Sequence, residues 1–373
     1  MRIFYAAGAQ PHGGLTESSI WFQNLHGALR DLGHDVVRFD FDLEPFYLHV
    51  DPAKPDTETF VEAQRATLED ALLRQVSEAH AIRPVDVFFS YFYSSFARPE
   101  VIRRITDLGI VTVNWYCNAS YQFHLVSEIA LAFSYCLVPE RFRLDDYRAA
   151  GATPIYCQEA ANPDFYGPRD VPRELDVTFV GSAYGDRPAH LRALLDAGLD
   201  GHAWGPGWSE LAQPRSRPAR LRRTGSVVKA RALGRRVPPP LLEPSVCGSP
   251  LSDDEMVETF SRSRICLGFS SVGDTARSRN PIRQVRLRDF EVPMSGAFYL
   301  LEYVDEIEDF FVPGREIVCF EGRADLVDKC RYYLDHDAER EAIAEAGRRR
   351  ALADHTWQKR LGDAFAEMGL DGR

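Results

Sequence analysis

The stretch RIFYAAGAQPHGG, residues 2–14, decides the fold class of this chain. Its first six residues form an apolar strand, and glycines then break the run into a loop. Apolar residues recur at helical spacing over residues 21–32, and Gly33 stops that helix. The next apolar run, VVRF at residues 36–39, is a second strand. This strand–loop–helix–strand order predicts a parallel α/β unit.

The same alternation continues along the chain with one interruption. Turn-forming residues concentrate between 162 and 172, and the strand DVTFVGS at 176–182 restarts the pattern. We therefore expect an α/β protein of two Rossmann-like, doubly wound domains. Their predicted bounds are 1–168 and 173–354, with a helical segment following over 355–373. Ligands of such sheets bind beyond the carboxyl ends of the strands, which predicts a site in the cleft between the domains.

The composition is that of an ordinary globular protein, with 45% hydrophobic and 27% charged residues over 373 positions. A formal net charge of -11 argues against nucleic acid as the main partner. No apolar run approaches the roughly 20 residues that span a bilayer, and no signal-peptide pattern is present. Seven scattered cysteines without zinc or redox spacing are typical of a reducing compartment. We expect a cytoplasmic protein that binds no metal.

The segment RDFEVPMSG, residues 288–296, carries the strongest functional signal. Glu291 can accept two hydroxyl hydrogen bonds from a ribose. Gly296, at the start of an apolar run, lets a phosphate or a sugar approach the backbone closely. The same residues also suit a helix end that runs into a buried strand. Both interpretations stay open on the evidence of this segment alone.

Four stretches of the second half resemble the CgeB-like, spore-maturation type of glycosyltransferase, which has the GT-B fold. They are DVTFVGS at 176–182 with Arg187 after it, GPGW at 205–208, the segment at 288–296, and HTWQKR at 355–360. The similarity covers residues 175–360 and is looser in the first half. It implies transfer of a sugar from a nucleotide-activated donor (a UDP, GDP or dTDP sugar) without a tightly bound cofactor or an essential metal.

The resemblance also implies where each substrate binds. The C-terminal domain holds the donor, the N-terminal domain faces the acceptor, and residues 355–373 pack back towards the N-terminal domain. Glu291 aligns with the glutamate that binds the donor ribose, whereas Arg283 stands where retaining members carry an earlier glutamate. Basic side chains at the donor would stabilise the leaving diphosphate. The predicted donor-binding residues are Gly181, Ser182, Arg187, Gly205, Arg288, Glu291 and Gly296.

The acceptor side offers two histidines as candidate catalytic bases. His12 lies in the glycine-containing loop after the first strand and could take a proton near neutral pH. His124 follows a later strand, and Glu128 lies one helical turn beyond it, where it could orient the ring. If the transfer retains configuration, neither histidine needs to be a base. The acceptor-side residues predicted with them are Gly13, Asn118, Gln122 and Glu128.

Residues 213–242 form a local cationic segment with nine basic residues and no acidic one. This segment suits an anionic acceptor, weak contact with a membrane surface, or the donor phosphates, and it equally suits a solvated loop. No transmembrane segment accompanies it. The segment therefore stays without a single assigned role.

Three other functions are compatible with parts of the pattern. A nucleotide-sugar 2-epimerase shares the double Rossmann plan and would turn over donor without acceptor. A non-catalytic carbohydrate-binding protein could keep the fold and show no turnover. A dinucleotide oxidoreductase is disfavoured, because the first loop lacks a complete GxGxxG.

Overall fold

The computed structural model describes residues 1–8, 21–49, 51, 54–212, 239–273, 275 and 280–370. The chain divides into two compact units. The first comprises Met1–Phe165 and the segment from Asp354 to the chain end, and the second comprises Tyr166–Ala353. In the described ranges, no helix combines the length and the apolar character needed to cross a membrane.

A parallel six-stranded sheet forms the centre of the first unit, in the order β2-β1-β3-β4-β5-β6. Phe4 lies opposite Val37 on one side and Phe88 on the other, and the two phenyl rings stack. The run VFFS at 87–90 is buried throughout, as expected for a strand covered on both faces. The strands are β1 Arg2–Ala6, β2 Asp35–Arg38, β3 Val87–Ser90, β4 Val111–Trp115, β5 Tyr135–Val138 and β6 Pro154–Tyr156.

Helices connect these strands, and one of them differs from the expectation. Residues Trp21–His26 form a π-helical turn before the first α-helix, so the helix predicted over 21–32 is only partly α-helical. The helix Ala119–Ala130 bends at Gln122, whose backbone is not helical. The helices are α1 Gly27–Asp31, α2 Glu44–Leu48, α3 Pro55–Ile82, α4 Pro99–Thr106, α5 Ala119–Ala130 and α6 Leu144–Ala149.

The second unit is built on another parallel six-stranded sheet, in the order β12-β11-β10-β7-β8-β9. Val177, Ile265 and Leu300 come from three adjacent strands and are fully buried in one core cluster. The strands are β7 Leu175–Val180, β8 Gly201–Trp204, β9 Cys247–Gly248, β10 Ser263–Gly268, β11 Tyr299–Glu302 and β12 Val318–Phe320. Two doubly wound parallel sheets confirm the predicted fold class.

The helices of the second half include the functional segment identified in the sequence. Residues Arg288–Met294 are helical, and Gly296 follows in a left-handed conformation with φ 72°. At the start of the helix Asp253–Arg262, Ser252 and Glu255 form a reciprocal capping box, as their spacing predicts. The helices are α7 Arg187–Asp196, α8 Trp208–Leu211, α9 Asp253–Arg262, α10 Arg288–Met294, α11 Gly322–Asp335, α12 Asp337–Asp354 and α13 Trp357–Glu367. The last of these contacts α1 and β6 in the first unit.

Candidate functional site

The second unit buries charged side chains on helices next to its sheet, Arg187 on α7 and Asp289 and Glu291 on α10. The turn after β7 begins at Gly181, the segment after β10 begins at Phe269, and β11 ends at Glu302. Loops that follow parallel strands converge at the carboxyl edge of the sheet, which is where such sheets bind ligands. Arg187, which follows the turn after β7, is buried, and so is Glu291 on the helix that leads into β11. Burial of an ion requires compensating contacts, so the contacts of each ion indicate its role.

Arg187, the first residue of α7, holds neighbouring loops together. Its Nη1 donates to the Ser182 carbonyl at 3.0 Å, and its Nη2 donates to the Tyr184 hydroxyl at 2.7 Å and to the Phe269 carbonyl at 3.5 Å. The guanidinium also lies 3.8 Å from the centre of the Tyr184 ring. Burial lowers the pKa of Arg187 to about 10. The predicted phosphate ligand is therefore engaged in positioning the turns after β7 and β10, and Ser182 contributes its carbonyl to that arrangement.

Two predicted glycines pack against each other rather than lining an open surface. Gly205 has φ 137°, and a Cβ atom there would lie 2.5 Å from the Gly181 carbonyl oxygen. That oxygen also accepts a hydrogen bond of 2.6 Å from the Trp208 indole. Close approach of the turns after β7 and β8 thus accounts for the glycine at 205.

Helix α10 carries a buried carboxylate with one unsatisfied oxygen. Glu291 is fully buried, and its Oε2 is paired with the Arg288 guanidinium one helical turn earlier. Its Oε1 makes no hydrogen bond with any described residue. The Arg288 side chain is 33% exposed, whereas the Glu291 side chain has no exposed surface. An unpaired buried carboxylate oxygen is unfavourable, and a hydroxyl donor would relieve it.

Asp289, the next residue after Arg288, anchors the start of α10 to the sheet. It accepts hydrogen bonds from the Arg286 amide at 2.8 Å and from the Tyr299 hydroxyl at 2.7 Å. Burial raises the pKa of Asp289 to about 6, although both hydrogen bonds favour the charged form. The helix start is therefore fixed to the first residue of β11.

Glu302 is a half-buried carboxylate that the sequence did not reveal. Its Oε2 accepts from the Ser270 amide and hydroxyl, both at 3.3 Å, and from the Ser271 hydroxyl at 3.5 Å. Its Oε1 lies 3.3 Å from Nη2 of Arg283. The acidic residue that ends the apolar run 297–302 was the available signal. Arg283, which stands at the position of the earlier glutamate of retaining enzymes, is thereby paired with a carboxylate from another strand.

Gly296 lies at the opposite end of β11 from Glu302. It ends α10 in the left-handed conformation common after helices, and its carbonyl accepts from Arg173 at 2.8 Å. A Cβ atom at this position would come within 3.4 Å of Arg348 and Pro168. Helix termination and close packing therefore account for this glycine, and the helix-end interpretation of its role is the one the geometry favours.

The predicted acceptor-side amides belong to a network of tyrosine hydroxyls in the first unit. Asn118 donates to the Tyr91 hydroxyl at 3.1 Å, and Gln122 accepts from the Tyr116 hydroxyl at 3.0 Å. Both amides are half-buried. Burial raises the pKa of Tyr91 and of Tyr116. This network is neutral, unlike the carboxyl edge of the second sheet.

Of the two candidate bases, only His124 lies in the described part of the structure. His124 and Glu128 are both exposed on α5, and no hydrogen bond or ion pair joins them in the described ranges, so the expected orienting contact is not made. His12 and Gly13 lie outside the described residues, as do positions 213–238 of the basic segment. Among the residues that are described, no three His, Cys, Asp or Glu side chains converge as a metal site would require.

Comparisons with known proteins agree with this architecture. Sucrose-phosphate synthase (tll1590) from Thermosynechococcus elongatus has 12% identity and a TM-score of 0.60, with 99% of each chain covered. Anabaena Alr3699/HepE in complex with UDP-glucose has 11% identity and a TM-score of 0.58 over 99% of each chain. A glycosyltransferase from Rickettsia africae ESF-5 has 11% identity and a TM-score of 0.56, covering 100% of this chain and 99% of that one. These similarities establish the GT-B fold.

Sequence comparison identifies the activity class. No curated protein sequence matches the chain. The family model described as "Glycosyl transferase-like" matches residues 187–366, which include the whole of α7, α10 and β11. This match favours glycosyl transfer over the epimerase and binding-protein alternatives. Residues 187–366 are thus similar to the glycosyl transferase-like family, and the chain is a glycosyltransferase.

Proposed function

We propose that the enzyme uses a nucleoside-diphosphate sugar as donor and binds it at the carboxyl edge of the second sheet. The observation that carries this proposal is the unpaired Oε1 of Glu291, buried next to a partly exposed arginine. A ribose supplies hydroxyl donors for this oxygen. HepE, a structure of similar fold, is in complex with UDP-glucose, which supports uridine as the base.

Arg288 has two roles in this proposal. In the absence of donor it neutralises Glu291 and covers it. When the donor binds, the guanidinium turns towards the diphosphate, and the ribose hydroxyls take its place on the carboxylate. Arg187 keeps the turns after β7 and β10 in place and does not itself contact the phosphates. Cationic side chains stabilise the charge that develops on the leaving diphosphate, so we expect no essential metal and no tightly bound cofactor.

The chemical step exchanges one bond at the anomeric carbon for another. The bond to the diphosphate oxygen breaks, the acceptor oxygen forms the new glycosidic bond, and the acceptor hydroxyl releases its proton. An inverting course requires a base for that proton, and His12 and His124 are our candidates. A retaining course requires none. The stretches that resemble the CgeB-like group support that group as the subfamily.

We also propose a cytoplasmic location, where nucleotide sugars are the donors. In the described ranges none of the seven cysteines forms a disulfide, and five of them are buried, which suits a reducing compartment. The acceptor in this proposal is a small molecule, a glycan or a protein.

The test compares UDP with 2′-deoxy-UDP in calorimetric titrations of the wild type and of Glu291→Gln. If Glu291 binds the ribose diol, the wild type prefers UDP by about tenfold, equivalent to one charged hydrogen bond, and the variant loses the preference. Glu308→Gln is the matched control, because Glu308 is exposed in the same unit and, among the described residues, accepts a hydrogen bond only from Tyr303. An unchanged preference in Glu291→Gln would contradict the assignment.

A further inference from the structure

A cavity lies wholly within the first unit, at the carboxyl ends of β1 and β2. Its volume is about 420 Å³, enough for a monosaccharide-sized ligand. We call it the β2 cavity. One wall is the end of β1 up to Gly8, and the other is the segment 38–44 that leads from β2 into α2. Its lining includes neither Asn118 nor Gln122, the two amides predicted on the acceptor side.

Local hydrogen bonds hold the walls of the β2 cavity in shape. Gln75 accepts from the Asp40 amide at 2.9 Å and donates to the Asp40 carbonyl at 2.8 Å, which fixes this residue on both sides. Asp42 accepts from the Glu44 amide at 3.1 Å. On the opposite wall, the Gly8 amide donates to the Tyr47 hydroxyl at 2.9 Å. A cavity held in this way loses little conformational freedom when it binds a ligand.

The charge of the lining decides which ligands it accepts. Asp40, Asp42 and Glu44 line the cavity together with one basic residue, Arg38. No ion pair to any of these three carboxylates is present in the described ranges, whereas the Arg38 guanidinium lies 5.6 Å from the centre of the Phe22 ring. Free carboxylates accept hydrogen bonds from hydroxyl and ammonium groups and repel phosphates and sulfates.

From this lining we infer that the β2 cavity binds the sugar acceptor, and that the acceptor is a polyhydroxylated molecule that is neutral or carries an amine, not a phosphorylated one. The acceptor role rests on the proposed function, whereas the binding preference rests on the cavity alone. Carboxylates bind the hydroxyls and the ammonium group, and the Phe41 ring supplies an apolar surface within the same lining.

Ligand-observed NMR on the full chain tests the inference with three matched hexoses: glucosamine, glucose and glucose 6-phosphate. We expect wild-type protein to bind glucosamine about tenfold more tightly than glucose 6-phosphate, since their charges differ in sign at the same ring. In Asp40→Asn/Asp42→Asn the difference should fall to about twofold. Asparagine at 42 keeps an oxygen for the Glu44 amide, so the fold is preserved.

The matched control is Asp107→Asn, an exposed carboxylate of the same unit outside the cavity, which should keep the wild-type preference. Equal binding of glucosamine and glucose 6-phosphate by the wild type would overturn the inference, and so would a preference that survives in the double variant. UDP titrations of the same proteins separate the two proposals. Tight UDP binding without a sugar preference refutes only the cavity, whereas a sugar preference without UDP binding refutes only the donor site.

Discussion

The two units differ in the polar groups that they bury beside their sheets. In the first unit, Asn114 accepts from the Ser90 hydroxyl at 2.9 Å and from the Phe92 amide at 2.8 Å, and it donates to the Phe92 carbonyl at 2.9 Å. The second unit buries Arg187 after β7 and Glu291 on α10. The Asn114 amide is therefore hydrogen-bonded within the first unit, whereas Oε1 of Glu291 has no hydrogen-bond partner among the described residues.

This difference indicates which unit is built for a charged ligand. A neutral, self-satisfied network can be buried for packing alone. Buried ions are unfavourable unless they are paired, and a site that leaves one oxygen unpaired needs a ligand to complete it. The proposed assignment of the nucleotide donor to the second unit follows from this contrast. Each prediction below changes one member of the contrast, beginning with the largest expected effect.

Replacing Arg187 with methionine should have the largest effect on stability. The variant loses hydrogen bonds to the Ser182 and Phe269 carbonyls and to the Tyr184 hydroxyl. Methionine fills a similar volume and removes the cost of burying a cation, so we expect a net loss of about 3 kcal/mol in the free energy of unfolding. Urea unfolding measures it. Arg323→Met, at an exposed ion pair of the same unit, should lose no more than about 0.5 kcal/mol.

The first unit contains exceptions to its neutral character, since Glu69, Glu140 and Glu159 are buried there. Glu140 follows β5 and is buried, its Oε1 accepts from the Ser120 amide at 3.1 Å, and its Oε2 has no partner among the described residues. Burial raises the pKa of Glu140 to about 8. The folded state therefore binds the proton more tightly than the unfolded state does. The resulting stability is complete below the unfolded pKa of about 4.3 and is lost as the pH rises through about 8.

Glu140→Gln tests this exception, because the amide mimics the protonated carboxyl. We expect the free energy of unfolding of the wild type to fall between pH 5 and 8, by about 2 kcal/mol relative to the glutamine variant. Chemical denaturation at a series of pH values measures the difference. Glu128→Gln, at an exposed position in the same unit, should follow the wild-type curve. Parallel curves for the wild type and Glu140→Gln would show that Glu140 does not titrate in this range.

Glu302→Gln should weaken donor binding by about tenfold with little change in kcat. The segment after β10 would lose its charge-assisted contacts with Ser270, Ser271 and Arg283, which are made before the chemical step. Kinetics with a UDP-sugar donor, once an acceptor is found, separate KM from kcat, and UDP titration measures the binding part alone. Glu308→Gln is again the control. A fall in kcat at unchanged KM would assign Glu302 to the chemical step instead.

Sequence reasoning predicted the two sheets because periodicity and glycine-rich turns are local properties of the chain. It predicted that the segment containing Glu291 leads into a strand, as β11 does, but it did not identify the α-helical turn that pairs Glu291 with Arg288. Glu302 and the β2 cavity were missed for one physical reason. Glu302 meets Ser270 and Arg283 only through strand order in the sheet, and the cavity walls come from strands that are neighbours in space. Contacts between distant segments have no local signature.

The smallest effect belongs to the exposed capping box at the start of α9. Ser252 caps α9 by accepting from the Glu255 amide at 3.3 Å, and the Glu255 side chain accepts from the Ser252 amide in return. Ser252→Ala removes half of this capping box and should cost about 1 kcal/mol of unfolding free energy. Urea unfolding measures that loss, and UDP titration should show no change in affinity. If the affinity for UDP also falls with this variant, donor binding responds to general destabilisation of the unit. The losses expected for the Glu291 and Glu302 variants would then no longer report on these two carboxylates.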